Sequence, residues 1–379
     1  MAARWLILQA LFPDLISIEN FQDSDDTLVL KEALSSIGNC ELDVKHSGTA
    51  LRFCLSYFAV QADRTVILKG SDRLHERPIS IVVEALRKLG AEITYLEKEG
   101  CAPVQIKGKK LQGGSIQIDG GVSSQFVSSL MLVAPRLPGG LEIDLKGTIV
   151  SRSYIWLTLD VLIAAGIEAT MNGNKIVVKE KAKLPEPKEV QLESDWSAAA
   201  YWYAWVALNG GGVNLLGLQS NSSQGDRKLI PFFEGLGVRT KEINGGLRIY
   251  KVDMALPEHL EMNLINQPDL AQPIAVVCAL LGVEVKLNRL QTLTIKETNR
   301  LEALKEELSN FGISADLTVE SIFIAPQKAS APKRPIKTYN DHRMAMSFSL
   351  FASQFDIEME ESHVVSKSYP EYFNQLLAQ

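Results

Sequence analysis

Lysines, arginines and carboxylates gather in this sequence at the starts of apolar stretches, where a folded chain has most reason to avoid them. Lys296-Glu297-Thr298-Asn299-Arg300 stands between the run Leu293-Thr294-Ile295, which reads as a strand, and a helix beginning near Leu301. Two cations and a carboxylate within five residues could be surface salt bridging. They could also be a carboxylate base flanked by groups that grip an anion. Tyr339-Asn340-Asp341-His342-Arg343 runs straight into the apolar segment Met344–Phe351. Burying charge without a partner is costly, so this segment needs a reason. Asn266-Gln267-Pro268-Asp269 precedes the apolar stretch Ile274–Leu281. Asp269 could cap that helix or act as an acid/base at its entrance. Lys367 stands alone in Ser366-Lys367-Ser368-Tyr369-Pro370, and by itself reads as a surface lysine.

Four more segments carry the same theme. Ser47-Gly48-Thr49-Ala50-Leu51-Arg52 opens an apolar helix. Its first backbone N–H groups suit a phosphate or carboxylate, although a plain N-cap explains the residues too. Asp72-Arg73 and Glu76-Arg77-Pro78-Ile79 set two arginines before a helix, with Pro78 suited to its first position. These arginines could grip an anion or merely line a solvated loop. Gly120-Gly121-Val122-Ser123-Ser124-Gln125-Phe126 places glycines, two hydroxyls and an amide ahead of the run Val127–Val133. A core helix needs one cap, whereas a binding loop at a helix N-terminus accounts for all three polar side chains. Ser151-Arg152-Ser153-Tyr154 precedes another helix, and Ser151 could be only its N-cap.

The elements that must position these segments recur. An amphipathic helix, a glycine and then an alternating strand appear around Gly38, Gly90, Gly166, Gly237 and Gly312. Glycine just past a helix takes the left-handed conformation that ends it. Asn172-Gly173-Asn174 and Asn244-Gly245-Gly246 then signal hairpin turns. The pattern implies a small α/β subdomain used several times. Lys183-Leu184-Pro185-Glu186-Pro187-Lys188 is Pro-rich and charged, and its prolines interrupt regular structure. A boundary there divides the chain into halves of similar size, 1–190 and 191–379.

Several function classes are disfavoured. A net charge of −6 argues against nucleic-acid binding, which normally shows as a basic face. No apolar run approaches the ~20 residues that span a bilayer. The start, with Arg4 before Trp5-Leu6-Ile7-Leu8, is short and lacks a small-residue cleavage site, so it reads as a first core helix. Cys40, Cys54, Cys101 and Cys278 show neither CxxC spacing nor nearby histidines, as expected of free thiols in a reducing compartment.

Taken in order, the segments resemble the 5-enolpyruvylshikimate-3-phosphate synthase family. The resemblance rests on Asp23-Ser24-Asp25-Asp26-Thr27, Gly48-Thr49-Ala50-x-Arg52, Glu76-Arg77-Pro78-Ile79, Ser123-Ser124-Gln125-Phe126, Lys296-Glu297-Thr298-x-Arg300 and Tyr339-Asn340-Asp341-His342-Arg343. It implies an α/β (α+β) fold of two lobes, each of three βαβαββ units, with the first unit truncated here. It implies a monomeric cytoplasmic enzyme of the shikimate pathway, which serves aromatic amino acid biosynthesis. Enolpyruvyl would pass from phosphoenolpyruvate to the 5-hydroxyl of shikimate 3-phosphate by addition and elimination, releasing phosphate. No metal or organic cofactor is implied. The resemblance further implies that Gly48, Arg77, Gln125, Arg300, Arg343 and Lys367 hold phosphoenolpyruvate. Arg4, Ser123, Ser124, Ser151, Tyr154, Asp269 and Lys296 would hold shikimate 3-phosphate. Asp269 and Glu297 would carry protons, with help from Lys367. The chemistry fits these residue types. Each substrate carries a phosphate and a carboxylate, and two unit charges 4 Å apart repel by ~4 kcal/mol at an effective dielectric of ~20. Arginine grips both groups in bidentate fashion.

The chain also departs from the family pattern. The family begins with a strand and Gly-Ser-Lys-Ser-x-Ser-Asn-Arg, whose last residue aligns with Arg4 of Met1-Ala2-Ala3-Arg4. The expectation is a truncated form, slower than one extended upstream by ~10²–10³ for the missing charge-stabilising donor. Asn299 stands where Asp is usual, Phe53 where Pro is common, and Thr292 where some members have Asn. Two alternatives share much of this pattern. A UDP-amino-sugar enolpyruvyl transferase of the same fold would carry a catalytic Cys on a Gly/Arg-rich loop, and no Cys here sits in one. A non-catalytic anion-binding homologue is the other.

Overall fold

Helices that stop at glycine, followed by hairpins, organise the chain as the sequence pattern requires. The computed structural model describes residues 1–121 and 123–378. Val122, within the loop singled out above, and Gln379, the end of the second half, lie outside the described residues. Two compact units result, Met1–Leu192 and Glu193–Gln379.

Unit 1 opens with α1 (Ala2–Leu11), β1 (Ile16–Glu19) and α2 (Asp25–Ser35). A βαβαββ set follows: β2 (Cys40–Asp43), α3 (Gly48–Ala59), β3 (Thr65–Lys69), the short α4 (Asp72–Glu76), α5 (Ser80–Lys88), β4 (Glu92–Tyr95) and β5 (Val104–Lys107). The next set repeats it: β6 (Gly114–Asp119), α6 (Ser124–Val133), β7 (Leu141–Lys146), α7 (Arg152–Ala164), β8 (Ala169–Asn172) and β9 (Lys175–Val178). The sheet orders match, β2-β3-β5-β4 and β6-β7-β9-β8. In each, the first two strands pair in parallel and a hairpin completes the sheet. The Pro-rich segment leads into β10 (Lys188–Gln191), which pairs in parallel with β1 inside unit 1.

Unit 2 begins with α8 (Trp196–Asn209), β11 (Gly212–Leu216), α9 (Leu229–Gly235), β12 (Val238–Ile243) and β13 (Gly246–Lys251). These strands form a three-stranded antiparallel sheet. A complete βαβαββ set follows: β14 (His259–Asn263), α10 (Ala271–Leu281), β15 (Glu284–Asn288), α11 (Arg300–Asn310), β16 (Asp316–Leu317) and β17 (Ser321–Ile324), in the order β14-β15-β17-β16. Helices α12 (His342–Phe348) and α13 (Tyr372–Leu377) end the chain.

Local chemistry explains the helix ends. After α7 the Ile167 N–H donates to Leu162 O and the Gly166 N–H to Ile163 O, both at 2.9 Å, with Gly166 at φ 80°. After α11 the same pair of bonds forms around Gly312. This is the motif that satisfies the last carbonyls of a helix. Gly38 differs from expectation. Helix α2 is ended earlier by Ser36, whose extended backbone (ψ 147°) breaks the helix and whose hydroxyl donates to Ala33 O.

Some helices are buried on nearly every side, and several of the polar segments open them. In α3 every residue except Thr49 is buried, and in α10 every residue except Leu281. A helix apolar all round belongs inside a domain. Fully burying side chains such as Leu55 and Phe58 contributes roughly 1.5–3 kcal/mol each. Helix α3 packs against α6, and α6 against α7. In unit 2, α10 packs against α8 and α12. The polar N-terminal turns of these helices are therefore set by a rigid apolar core.

Two expected elements differ. Residues 293–295 do not form a strand; they belong to the 3-10 helix Gln291–Ile295, which links β15 to α11. Pro78 is not in a first helical turn. Arg77 before it is extended, Ile79 after it has φ −127°, and α5 starts only at Ser80. A residue before proline avoids helical geometry, which explains the delay.

Candidate functional site

Each unit holds a cluster of the polar residues named above. In unit 1 the first cluster surrounds the N-terminus of α3. Ser47 caps the helix, accepting from the Ala50 N–H at 3.2 Å. Arg52, one turn on, is buried and donates from Nη1 to Gly48 O and to Gln125 Oε1, both at 3.0 Å. Gln125 Nε2 donates to Thr49 Oγ1 at 3.0 Å. Ser123 caps α6, accepting from the Gln125 N–H, so Ser123 and Ser124 sit at the same helix start as that amide.

Gly48 is a glycine because two guanidinium groups approach it. A Cβ there would lie 2.7 Å from Arg52 Nη1 and 2.8 Å from Arg77 Nη1. The structure thus brings Gly48, Arg77 and Gln125 together, and adds Arg52 and Thr49. Two like charges converging at a helix N-terminus favour an anion there. Arg73 behaves otherwise: it is exposed and pairs with Glu76 at 2.7 Å, the solvated-loop reading.

The second cluster of unit 1 surrounds Arg4. Its guanidinium is buried, donating from Nε to Thr158 Oγ1 at 2.7 Å and from Nη2 to Tyr154 O at 3.1 Å. Thr158 in turn meets Ser128 Oγ at 2.8 Å. Burial pulls Arg4 down to about 10, against a smaller upward pull from the Tyr154 phenol. Ser151 begins α7 in a left-handed conformation, φ 54°, three residues before Tyr154. A non-glycine residue there is uncommon and aims the chain abruptly. Arg4, Tyr154 and Ser151 therefore share one end of α7.

Unit 2 holds the denser cluster. Arg300, the first residue of α11, is almost fully buried, so surface salt bridging does not describe it. Its Nε donates to Asp341 Oδ2 at 2.7 Å and its Nη2 to Asp341 Oδ1 at 3.2 Å. Nη1 reaches Asp269 Oδ1 at 3.1 Å, and Nη2 also reaches Glu297 Oε2 at 2.9 Å. Arg343 Nη2 meets Asp269 Oδ2 at 3.0 Å, and Lys367 Nζ meets Glu297 Oε1 at 2.6 Å. Lys367 is thus buried and paired, not the surface lysine its sequence context suggests. Asp341 also caps α12, accepting from the Arg343 N–H at 2.9 Å. Asp269 is not a helix cap. It sits in the 3-10 turn Pro268–Leu270, and its carboxylate is taken by the two arginines.

Charge sets the protonation states. Burial alone would raise Asp269, but Arg343, Lys296 and Arg300 together hold it well below the usual carboxylate range. Burial would lower Arg300, yet Asp341, Glu297 and Asp269 hold it above its ordinary value. His342 is buried, and desolvation brings it down to about 3, so it is a neutral imidazole and not a second cation beside Arg343. Its Nδ1 is among the buried atoms with no hydrogen-bond partner.

Arg52 was quoted in the sequence motif Gly48-Thr49-Ala50-x-Arg52 without a role of its own, and one participant was not singled out at all. Asp226, in the Gly225–Lys228 turn, is buried and bonded to the Ser197 hydroxyl. Burial first, and Asp269 second, push it up to about 7. Its signal was a lone acid in Gln224-Gly225-Asp226-Arg227.

Other chemistries find less support among the described residues. No group of three His, Cys, Asp or Glu could hold a metal ion. No helix is long and apolar enough to cross a membrane. Burial pushes the Cys54 and Cys278 thiols far up, which makes them poor nucleophiles.

Comparison with known proteins gives a consistent result. The family model described as EPSP synthase (3-phosphoshikimate 1-carboxyvinyltransferase) matches residues 37–376. A 3-phosphoshikimate 1-carboxyvinyltransferase of Bacteroides fragilis (strain YCH46) is 40% identical over 98% of this chain and 91% of its own length. One from Shewanella halifaxensis is 34% identical over 99% of this chain and 93% of its own length. The solved EPSP synthase of Acinetobacter baumannii superposes with a TM-score of 0.75, covering 99% of this chain and 93% of that one, at 20% identity. That last likeness speaks to the fold.

Proposed function

Since this chain belongs to the EPSP synthase family, we propose that it transfers the enolpyruvyl group of phosphoenolpyruvate to the 5-hydroxyl of shikimate 3-phosphate, releasing inorganic phosphate. The observation that carries the reading is the unit 2 cluster. Three carboxylates, Asp269, Glu297 and Asp341, interlock there with Arg300, Arg343 and Lys367. Such a cluster can grip anions and carry protons in the same place.

In this reading Arg4, Ser123, Ser124, Ser151, Tyr154, Asp269 and Lys296 bind shikimate 3-phosphate. Gly48, Arg77, Gln125, Arg300 and Arg343 bind phosphoenolpyruvate, and Lys367 does so as well. The convergence of Arg52 and Arg77 on Gly48 supports an anion at that helix N-terminus. The buried Arg4, held by neutral oxygens, supports a second.

Asp269, kept ionised by its cations, is present in the form that can accept a proton, and its place in the cluster assigns it the role of base. It takes the proton of the 5-hydroxyl as the oxygen attacks C2 of the enol. The Lys367–Glu297 pair protonates the methylene carbon, giving a tetrahedral intermediate. The same pair then removes a proton from that carbon as the C–O bond to phosphate breaks. The pair thus ends as it began, and Asp269 is restored by passing the hydroxyl proton to the departing phosphate. The positive groups offset the charge on the departing phosphate. The same reading takes the enzyme to act as a monomer in the cytoplasm.

The test is phosphate release. The chain is mixed with shikimate 3-phosphate, with phosphoenolpyruvate, and with both. Release only with both supports the transfer. No release above the single-substrate controls refutes it.

A further inference from the structure

Outside the cation–carboxylate cluster lies another buried acid. Glu307 is fully buried on α11, seven residues after Arg300. Seven residues return a helix to nearly the same side, so both face the core together. Asn310 follows on that face. These three side chains fasten one segment, 333–341, along the helix. Asn310 Oδ1 accepts from the backbone N–H of Lys333 and Arg334 at 3.0 and 3.1 Å. Glu307 accepts from Arg334 Nη1 at 3.0 Å and Nη2 at 2.7 Å, and from the Lys337 N–H at 3.3 Å. It also accepts the Tyr339 hydroxyl at 2.7 Å. Arg300 then takes Asp341 at the far end.

Between Tyr339 and Asp341 the chain turns sharply. The Asp341 N–H donates to Thr338 O at 2.9 Å, and Tyr339 and Asn340 have φ 56° and 54°. Two consecutive positive φ values make a turn that glycine and asparagine fill readily. Tyrosine is poorly suited to it, because its Cβ crowds the backbone. Such a conformation persists only where its surroundings hold it. The turn matters because the next residues are Asp341 and Arg343.

We infer that Glu307 is a positioning residue: by holding the Tyr339 hydroxyl it maintains the left-handed Tyr339-Asn340 turn, which sets Asp341 against Arg300 and Arg343 against Asp269. The geometry stands alone; its consequence for turnover rests on the proposed transfer.

Tyr339→Phe removes only the hydroxyl and tests this directly. The expected result is a loss of about tenfold or more in kcat/KM for phosphoenolpyruvate, carried mainly by KM, as for a displaced anion-binding arginine. Tyr339→Gly also lacks the hydroxyl but takes positive φ without crowding, so it should recover most of that loss. A merely structural role for Glu307 in α11 would lower Tm without being rescued by a glycine in a turn outside that helix. Wild-type kcat/KM in Tyr339→Phe, or no recovery in Tyr339→Gly, overturns the inference. If the wild-type chain itself releases no phosphate, the proposed transfer fails instead. The crystal structure of Tyr339→Phe then decides the inference: an opened Arg300–Asp341 pair supports it, and an unchanged turn and pair overturn it.

Discussion

Arg4 in unit 1 and Arg300 in unit 2 are the same residue type, both buried, in opposite electrostatic settings. Arg4 is held by a hydroxyl and a carbonyl, and burial pulls it down to about 10. Arg300 is held by three carboxylates, which raise it above its ordinary value. Buried charge is tolerated when it is paired. Unit 2 therefore satisfies its cations within the protein, while unit 1 solvates Arg4 with neutral dipoles. An anion arriving at Arg4 adds a charge partner. An anion arriving at Arg300 must share it with three acids already in place. An anion therefore gains a new charge partner at Arg4, whereas at Arg300 it joins a balance of charge that the protein has already struck.

Replacing each arginine by methionine tests that division most severely. Arg300→Met leaves Asp341, Asp269 and Glu297 buried or half-buried without their shared cation. Breaking a buried pair on one side costs about 3–5 kcal/mol, so denaturant unfolding should show a loss of that size together with loss of turnover. Arg4→Met removes a buried charge but strands Thr158 and Tyr154 O, and these effects oppose each other. Its stability should stay within about 1 kcal/mol of wild type, while affinity for shikimate 3-phosphate falls. Equal destabilisation in both variants would erase the distinction between the units.

Asp269→Asn should lower turnover by about 10²–10⁴, the range for a positioned base, as measured by phosphate release. The neighbouring Asp226 sharpens the point through pH. Asp269 is depressed, so its contribution to stability is present above the ordinary Asp value and is lost as pH falls toward its folded value. Asp226 is raised to about 7, so its contribution is full below the unfolded value of ~3.8 and is lost as pH rises through about 7. Asp226→Asn should therefore match wild type near pH 4 and exceed it at pH 8, by on the order of 2–4 kcal/mol. Urea titrations at the two pH values measure this. A constant difference would mean that Asp226 is ionised throughout. One acid held ionised beside one held neutral is an arrangement suited to proton transfer.

Much of this was legible in the sequence, because it is local. The glycine ending α7, the hairpin at Gly173 and the polar N-termini of α3, α6 and α11 all announce themselves within ten residues. The pairing of Arg300 with Asp341 spans 41 positions, and that of Lys367 with Glu297 spans 70. No periodicity encodes such contacts, so Lys367 read alone as a surface residue. Glu307 was hidden differently. In Lys305-Glu306-Glu307 it looks like one more charge on an exposed helix face, and only the fold reveals its inward turn. The stretch Leu293-Thr294-Ile295 has strand chemistry but no strand beside it, and it closes into 3-10 turns.

The mildest test returns to unit 1. A Cβ on Gly48 would meet Arg52 Nη1 at 2.7 Å and Arg77 Nη1 at 2.8 Å. Neither distance is tolerable, so something must move. Both contacts are with the ends of long side chains, which can swing aside without disturbing α3. Gly48→Ala should therefore leave the fold intact and cost about 1–2 kcal/mol, for the bonds the displaced Arg52 gives up. The displaced guanidinium groups would no longer converge on one point. If that point is where an anion sits, KM for phosphoenolpyruvate should rise about tenfold while kcat changes little, the signature of lost uniform binding. Steady-state phosphate release over a range of phosphoenolpyruvate concentrations separates the two constants. A fall in kcat at constant KM would move Gly48 from anion capture to the transition state.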